Sequence, residues 1–204
     1  MAIAINGSTN VITGVAVGGL PDGIVDTDML AANAVTAAKS SGLGITMVDT
    51  WRIITQYIGA QATLGGTSDW ERDDTYGNGL LGTGMTQANG YFTFPSTGFY
   101  SVRFYGHHSS SYANSRSITG SLYYTDDNFS SSNLAAYYTV NCTGDSGAII
   151  HGQGSLEKIL DITDISNQKV KFAVGAAQNA SAMRTTVDTT ANRTYAVFTR
   201  LGDT

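Results

Sequence analysis

The chain has 204 residues, more than the ~150 of a usual domain, which points to one compact domain with an appendix or to one large all-β domain. Only 13% of residues are charged and the net charge is −5; Gly, Ser, Thr and Asn fill the place of the missing charges, which excludes a coiled coil, a long-helix protein and a charged disordered tail. No Lys/Arg cluster supplies the basic footprint that nucleic acid requires, and no run approaches 18 consecutive apolar residues, so neither a nucleic-acid partner nor a membrane-spanning helix is expected.

Only two of the sixteen acids are Glu (Glu71 and Glu157), whereas Thr, Tyr, Val, Ile and Phe, which suit pleated surfaces, are plentiful. The bulk of the chain therefore reads as β structure. The single cysteine, Cys142, rules out an intrachain disulfide, as expected of a protein assembled in a cytoplasm. The opening MAIAINGSTN has neither a basic n-region nor a sustained apolar stretch, so it is not read as a signal peptide.

Taken in chain order, residues 1–45 contain no aromatic residue and four charges (Asp22, Asp26, Asp28 and Lys39). Such a segment cannot bury enough apolar area to fold by itself, and an arm without a core implies that other chains hold it. Within it, Asp26 to Lys39 followed by Ser-Ser-Gly reads as a capped helix with a thin stripe of Met29, Leu30, Ala34, Val35 and Ala38. An extended intertwined strand fits the same residues.

From Asp49 onward the texture becomes aromatic runs separated by Gly, Asn, Asp and Ser. Expected strands are Trp51–Ile58, Ser68–Thr75, Gly90–Pro95, Gly98–His108, Arg116–Thr125, Ala135–Thr143, Ala148–Ile162, Gln168–Ala176 and Arg193–Leu201. Tyr100, Val102 and Phe104 share one face, as do Val170, Phe172 and Val174. This period-two pattern with frequent turns predicts a sandwich or barrel. Phe99, Tyr105, Tyr195 and Val197 fall on the opposite faces, which predicts that a second surface is also covered, as in an oligomer. The Ser109–Ser111 and Ser130–Asn133 runs read as loop tips. The division expected is an arm over 1–45 and a head over 46–204.

Several constellations invite a chemical reading. Gly144-Asp145-Ser146-Gly147 matches the nucleophile tetrapeptide of a serine protease, but no histidine with recognisable flanks accompanies it, and such a tetrapeptide is ordinary turn chemistry. His107 and His108 are adjacent on a strand and so point to opposite faces, which prevents joint chelation; with His151 they read as surface or interface residues. Asp69, Glu71 and Asp73 alternate on one strand face, with Asp74 beside them. Without a Gly-punctuated calcium loop they read as a solvated rim. Asp126-Asp127-Asn128 reads as a turn. Neither a cofactor nor a metal site is expected, and no catalytic residue is assigned. Tyr112, Tyr123 and Tyr137 are candidates for an outward, receptor-facing surface, since tyrosine offers rigid area with a polar tip.

The segment GYFTFPSTGFY (Gly90–Tyr100), followed by SVRF, resembles the signature of the tumour-necrosis-factor and complement globular-head superfamily. RTYAVFTRL (Arg193–Leu201) is similar to that family's closing strand, and Gly154–Val174 to its penultimate hairpin. The resemblance implies an all-β jelly-roll head that trimerises about a three-fold axis, with Phe92, Phe94, Tyr100, Phe104, Tyr195 and Phe198 packing within and between heads.

The arm, GVAVGGLPDGIVDTDMLAANAVTAAK (Gly14–Lys39), joined to such a head, resembles fibre and appendage proteins of tailed bacteriophages, notably marine ones. That resemblance implies a non-enzymatic virion protein, a homotrimer anchored to another virion protein through Val15, Val17, Leu20, Met29, Leu30 and Val35. Its head would meet a host-surface glycan or protein. A head-surface decoration protein without host contact is the alternative, and a glycan depolymerase using Ser146 or a carboxylate pair is the third.

Overall fold

A computed structural model describes residues 4–6, 11–13, 44–61, 63–66, 68–77, 79–110, 117–142, 148–177 and 183–204. The chain divides into two units, Met1–Ser41 and Gly42–Thr204. In the first, β1 (Ala4–Asn6) and β2 (Val11–Thr13) form an antiparallel ladder in which Ile5 faces Ile12. The sequence reading placed no strand there. The helix read over residues 26–39 lies outside the described residues.

The second unit is a sandwich of two antiparallel sheets, with no helix among its described residues. Its strands are β3 (Met47–Ile53), β4 (Tyr57–Ile58), β5 (Trp70–Arg72), β6 (Thr86–Ala88), β7 (Tyr91–Thr93), β8 (Gly98–Ser110), β9 (Ser117–Thr125), β10 (Asn133–Val140), β11 (Ile150–Ile162), β12 (Lys169–Ala177), β13 (Met183–Thr185) and β14 (Tyr195–Gly202). One sheet runs β10-β9-β12-β7-β6. The other is organised around β8, which pairs over its whole length with β11 along one side. Its other side is shared by β14 and β13, and β14 continues to β3 and β5.

Three expectations are corrected. Gly154–Val174 is not a hairpin: β11 pairs with β8, whereas β12 pairs with β9 and β7 in the opposite sheet. The connecting turn is closed locally, the Gln168 amide donating to the Asp164 carbonyl (2.9 Å) and its Oε1 accepting from the amides of Thr163 and Asp164, both at 2.7 Å. Ser109 and Ser110 are not loop residues but continue β8 and are buried. The strand expected over Trp51–Ile58 is broken after Ile53 into β3 and the two-residue β4.

Alternation along each strand delivers its apolar residues to the space between the sheets. Phe92 lies at the centre, with ring centroids 5.0 Å from Trp70, 5.0 Å from Phe198, and 5.7 Å from both Trp51 and Phe172. Burying each such ring contributes about 1.5–3 kcal/mol. A two-residue turn, Asn89-Gly90 with φ of 53° and 79°, joins β6 to β7. Positive φ at both positions is what a tight hairpin demands.

Two ionic groups pin β3 on its opposite faces. Inward, Asp49 is fully buried and accepts from Arg72 Nε (2.9 Å), Trp51 Nε1 (2.8 Å) and the Met85 amide (2.7 Å). Outward, Arg52 is also buried, held by Glu71 at 2.8 Å and by Asp73 and Thr75 at 3.0 Å.

Candidate functional site

On the outer face of the sheet built around β8, the register sets Ser155, Tyr105, Tyr195 and Arg52 in one row and Glu157, Arg103, Val197 and Thr50 in the next. Tyr105 and Tyr195 stack with centroids 4.6 Å apart and planes 13° apart. Burial and the neighbouring Tyr105 raise the Tyr195 phenol above its ordinary range. Phe99 and Ile159 are exposed farther along the face. Arg103 pairs with Glu157 at 3.0 Å, and Ser101 donates to the same carboxylate at 2.6 Å. These two bonds, Ser101 first, hold Glu157 below its usual range. At the far end the rings of His107 and His151 lie 5.1 Å apart. A cleft of about 170 Å³ opens above Gly106 and Gly154, between the stacked tyrosines and Arg193. The face therefore carries a stacked tyrosine pair at one end and exposed Phe99 and Ile159 at the other, with the Arg103–Glu157 pair and Ser101 between them.

The outer face of the second sheet is different. Tyr91, Lys171 and Tyr123 stand in one cross-strand row. The Lys171 ammonium lies 5.9 Å from the Tyr91 ring, 5.6 Å from Tyr123 and 5.3 Å from Phe129. Phe129 reaches the row because it takes a left-handed φ of 66° in the turn after β9. That turn is organised by Asp127, whose carboxylate accepts from Thr125, from the Ser131 amide and from the Ser131 hydroxyl. These bonds lower the Asp127 pKa to about 2, the Ser131 hydroxyl contributing most. Beside the row runs an open groove of about 430 Å³ floored by Ser121, Ala173 and Gly175.

No protein-family model and no curated protein sequence matches the chain. Among solved structures it is similar to the Eiger TNF from S. frugiperda. That likeness has a TM-score of 0.53 at 11% identity and covers 79% of this chain and 95% of that one. The head is a tumour-necrosis-factor-like jelly roll. At this identity the likeness describes the fold.

Within the jelly roll, Phe92, Phe94, Tyr100, Phe104 and Phe198 are buried between the sheets of a single head. Tyr195 alone of the six packing residues stands on the outer face. Tyr100 packs on Phe94 (4.7 Å) and donates to the Ser96 carbonyl (3.0 Å), which fixes the turn between β7 and β8. Tyr123 and Tyr137 both reach the outer face of the β9–β12 sheet, Tyr137 being exposed while its neighbour Tyr138 is buried. Tyr112, the Gly144–Gly147 tetrapeptide with Ser146, and the arm residues Val15, Val17, Leu20, Met29, Leu30 and Val35 lie outside the described residues.

The acidic alternation over residues 69–73 is not a solvated rim. Asp69 accepts from the Tyr57 hydroxyl at 2.6 Å, while Glu71 and Asp73 converge on Arg52 and Asp73 is buried. Only Trp70–Arg72 forms strand, so Asp69 and Asp73 lie just beyond its two ends. Among the described residues no group of three or more His, Cys, Asp and Glu could hold a metal ion. His107 and His108 do point to opposite sides. His108 is buried beside Tyr138, 2.7 Å from Nε2 to the phenol oxygen, and burial lowers its pKa to about 4.

Sequence reasoning missed Lys171 and Phe129. The period-two pattern places Lys171 on the outer face, where a lone lysine reads as a solvated charge. Nothing local signals that Phe129 folds back over it.

Proposed function

We propose that the chain is a homotrimeric virion structural protein of a tailed phage, anchored through residues 1–45 and presenting the jelly-roll head to a host surface. In this reading it does no catalysis and works by avidity: three heads on one anchor make the second contact intramolecular. The observation that carries self-association is the set of apolar side chains Phe99, Tyr105, Ile159, Tyr195 and Val197 on the outer face of the sheet built around β8. A two-sheet sandwich needs only its inner faces to fold, and apolar groups gathered on an outer face are covered in oligomers. The fold agrees, since a compact head with its own core leaves that face available. The phage assignment and the anchoring role are supported by the sequence resemblance of the arm.

Light scattering on the full chain and on residues 46–204 tests the assembly. A mass near three times the 21.4 kDa chain, with the head fragment also trimeric, is expected; a monomer in both overturns the reading. Binding of the head fragment to host cells then separates an adhesin from a capsid decoration protein.

A further inference from the structure

We propose that the groove on the outer face of the β9–β12 sheet binds an acidic glycan, with Lys171 pairing its carboxylate and Tyr123 lying against a sugar ring. This rests on the surface-adhesion reading above and names the ligand class. Three observations on the same face carry it.

The first is charge. Lys171 is surrounded by the rings of Tyr91, Tyr123 and Phe129. Ring quadrupoles hold an ammonium in place without neutralising it. Among the described residues no carboxylate forms an ion pair with Lys171, and no Asp or Glu lines the groove. On a chain of net charge −5 this is a positioned cation awaiting an anion.

The second is shape and surface. The groove of about 430 Å³ falls within the ~300–1,000 Å³ of small-ligand sites. Its floor is low because Ser121, Ala173 and Gly175 are small, and Tyr123 rises beside it. Gln61 and Ser132 bring amide and hydroxyl groups to its walls. A flat apolar ring beside small hydroxyl and amide groups suits a pyranose, which offers C–H faces and equatorial hydroxyls together.

The third is backbone pairing. β12 is bonded on one side to β9. On its other side it meets β7 and then the loop at Gln61 and Leu64, with Gln61 and Val174 exchanging bonds of 2.7 and 2.9 Å. β9 lies between β10 and β12. The floor therefore offers no free strand edge for an acidic peptide to extend. A single lysine is also far from the basic track that a nucleic acid needs.

The test is a titration of the isotope-labelled full chain, followed by amide and side-chain shifts. The probes are short oligomers of glucuronate, galacturonate and mannuronate and sialyl-lactose, each paired with its carboxyl-reduced neutral counterpart. Expected are shifts confined to Tyr91, Ser121, Tyr123, Lys171 and Ala173 with at least one acidic probe, and at least tenfold weaker binding of its neutral counterpart. Lys171→Met, which keeps the aliphatic stem, should weaken that probe at least tenfold at an unchanged thermal midpoint, while Lys171→Arg retains it.

Equal binding of acidic and neutral probes, shifts on another face, or no binding across the panel overturns the proposal. A glutamate heptapeptide that binds as tightly as the best oligomer also overturns it, in favour of an acidic peptide. Scattering on the same samples keeps the two readings apart. A trimer that binds no probe loses only the glycan site, and a monomer that binds loses only the assembly.

Discussion

The phenol oxygen of Tyr138 and Nε2 of His108 lie 2.7 Å apart, in a slot bounded by three glycines from three strands. Tyr138 projects inward from β10, and Gly106, Gly120 and Gly154 leave the space its ring fills; a methyl group on any of them would overlap that ring. Gly120→Ala and Gly154→Ala are each expected to cost about 1–3 kcal/mol by overpacking, read as a lowered urea midpoint. Tyr138→Phe keeps the shape but leaves His108 Nε2 without its partner, and is expected to cost a similar ~1–3 kcal/mol.

The same pair sets an acid sensitivity. Burial first, and the neighbouring His107 second, lower the His108 pKa to about 4 from an ordinary 6.5. Between these values the unfolded chain binds a proton that the folded head refuses. Stability is therefore complete above pH 6.5 and falls as the pH drops towards 4, by about 3 kcal/mol. Asp127 and Asp188 are held down to about 2 by hydrogen bonds, so their contributions are present above the ordinary 3.8 and disappear only below it. Urea midpoints at pH 7, 5.5 and 4.5 should decline in the native chain and much less in His108→Gln.

Asp49→Ala is expected to be destabilising. The carboxylate is inaccessible and serves Arg72, the Trp51 indole and the Met85 amide at once. Removing it leaves the Met85 amide and the Trp51 indole without their acceptor, while Arg72, about a third exposed, turns to water, at about 1–3 kcal/mol. Equilibrium unfolding by tryptophan fluorescence reports it directly, because Trp51 is one of the stranded groups.

Val197→Arg tests self-association without touching the core. Position 197 faces Arg103 across the β8–β14 ladder on the outer face, so a second guanidinium would repel the first and its equivalents in any copy packed there. The expected outcome is a head that keeps its far-ultraviolet spectrum and scatters as a single chain.

Period-two patterning made the sandwich legible: Tyr100, Val102 and Phe104 alternate cleanly and all three are buried. The β6–β7 hairpin was missed although Asn89-Gly90 is a strong two-residue turn signal, because β6 (Thr86–Ala88) has almost no apolar content to mark it. β13 (Met183–Thr185) is likewise too short to show a period. The assignment of β11 and β12 to opposite sheets depends on which strands lie between them in space, and no local pattern encodes it. Of the outer faces, Tyr123 and Tyr137 were legible from alternation. The setting of Lys171 required the left-handed turn that folds Phe129 over it.

The first long strand of the head, β3, is bonded to the last, β14, with Trp51 facing Ala196 and Asp49 facing Phe198. Residues about 150 positions apart in the chain are thus nearest neighbours, and the strand that joins them to the rest, β8, lies on the far side of β14. Pairing across such a separation costs loop entropy before it returns any burial. During synthesis β3 can pair with β5 on one side, but its other edge has no neighbour until β14 has left the ribosome, so closure of this sheet is a late step. Any chaperone or sister chain that shields the exposed edge of β3 acts within that interval.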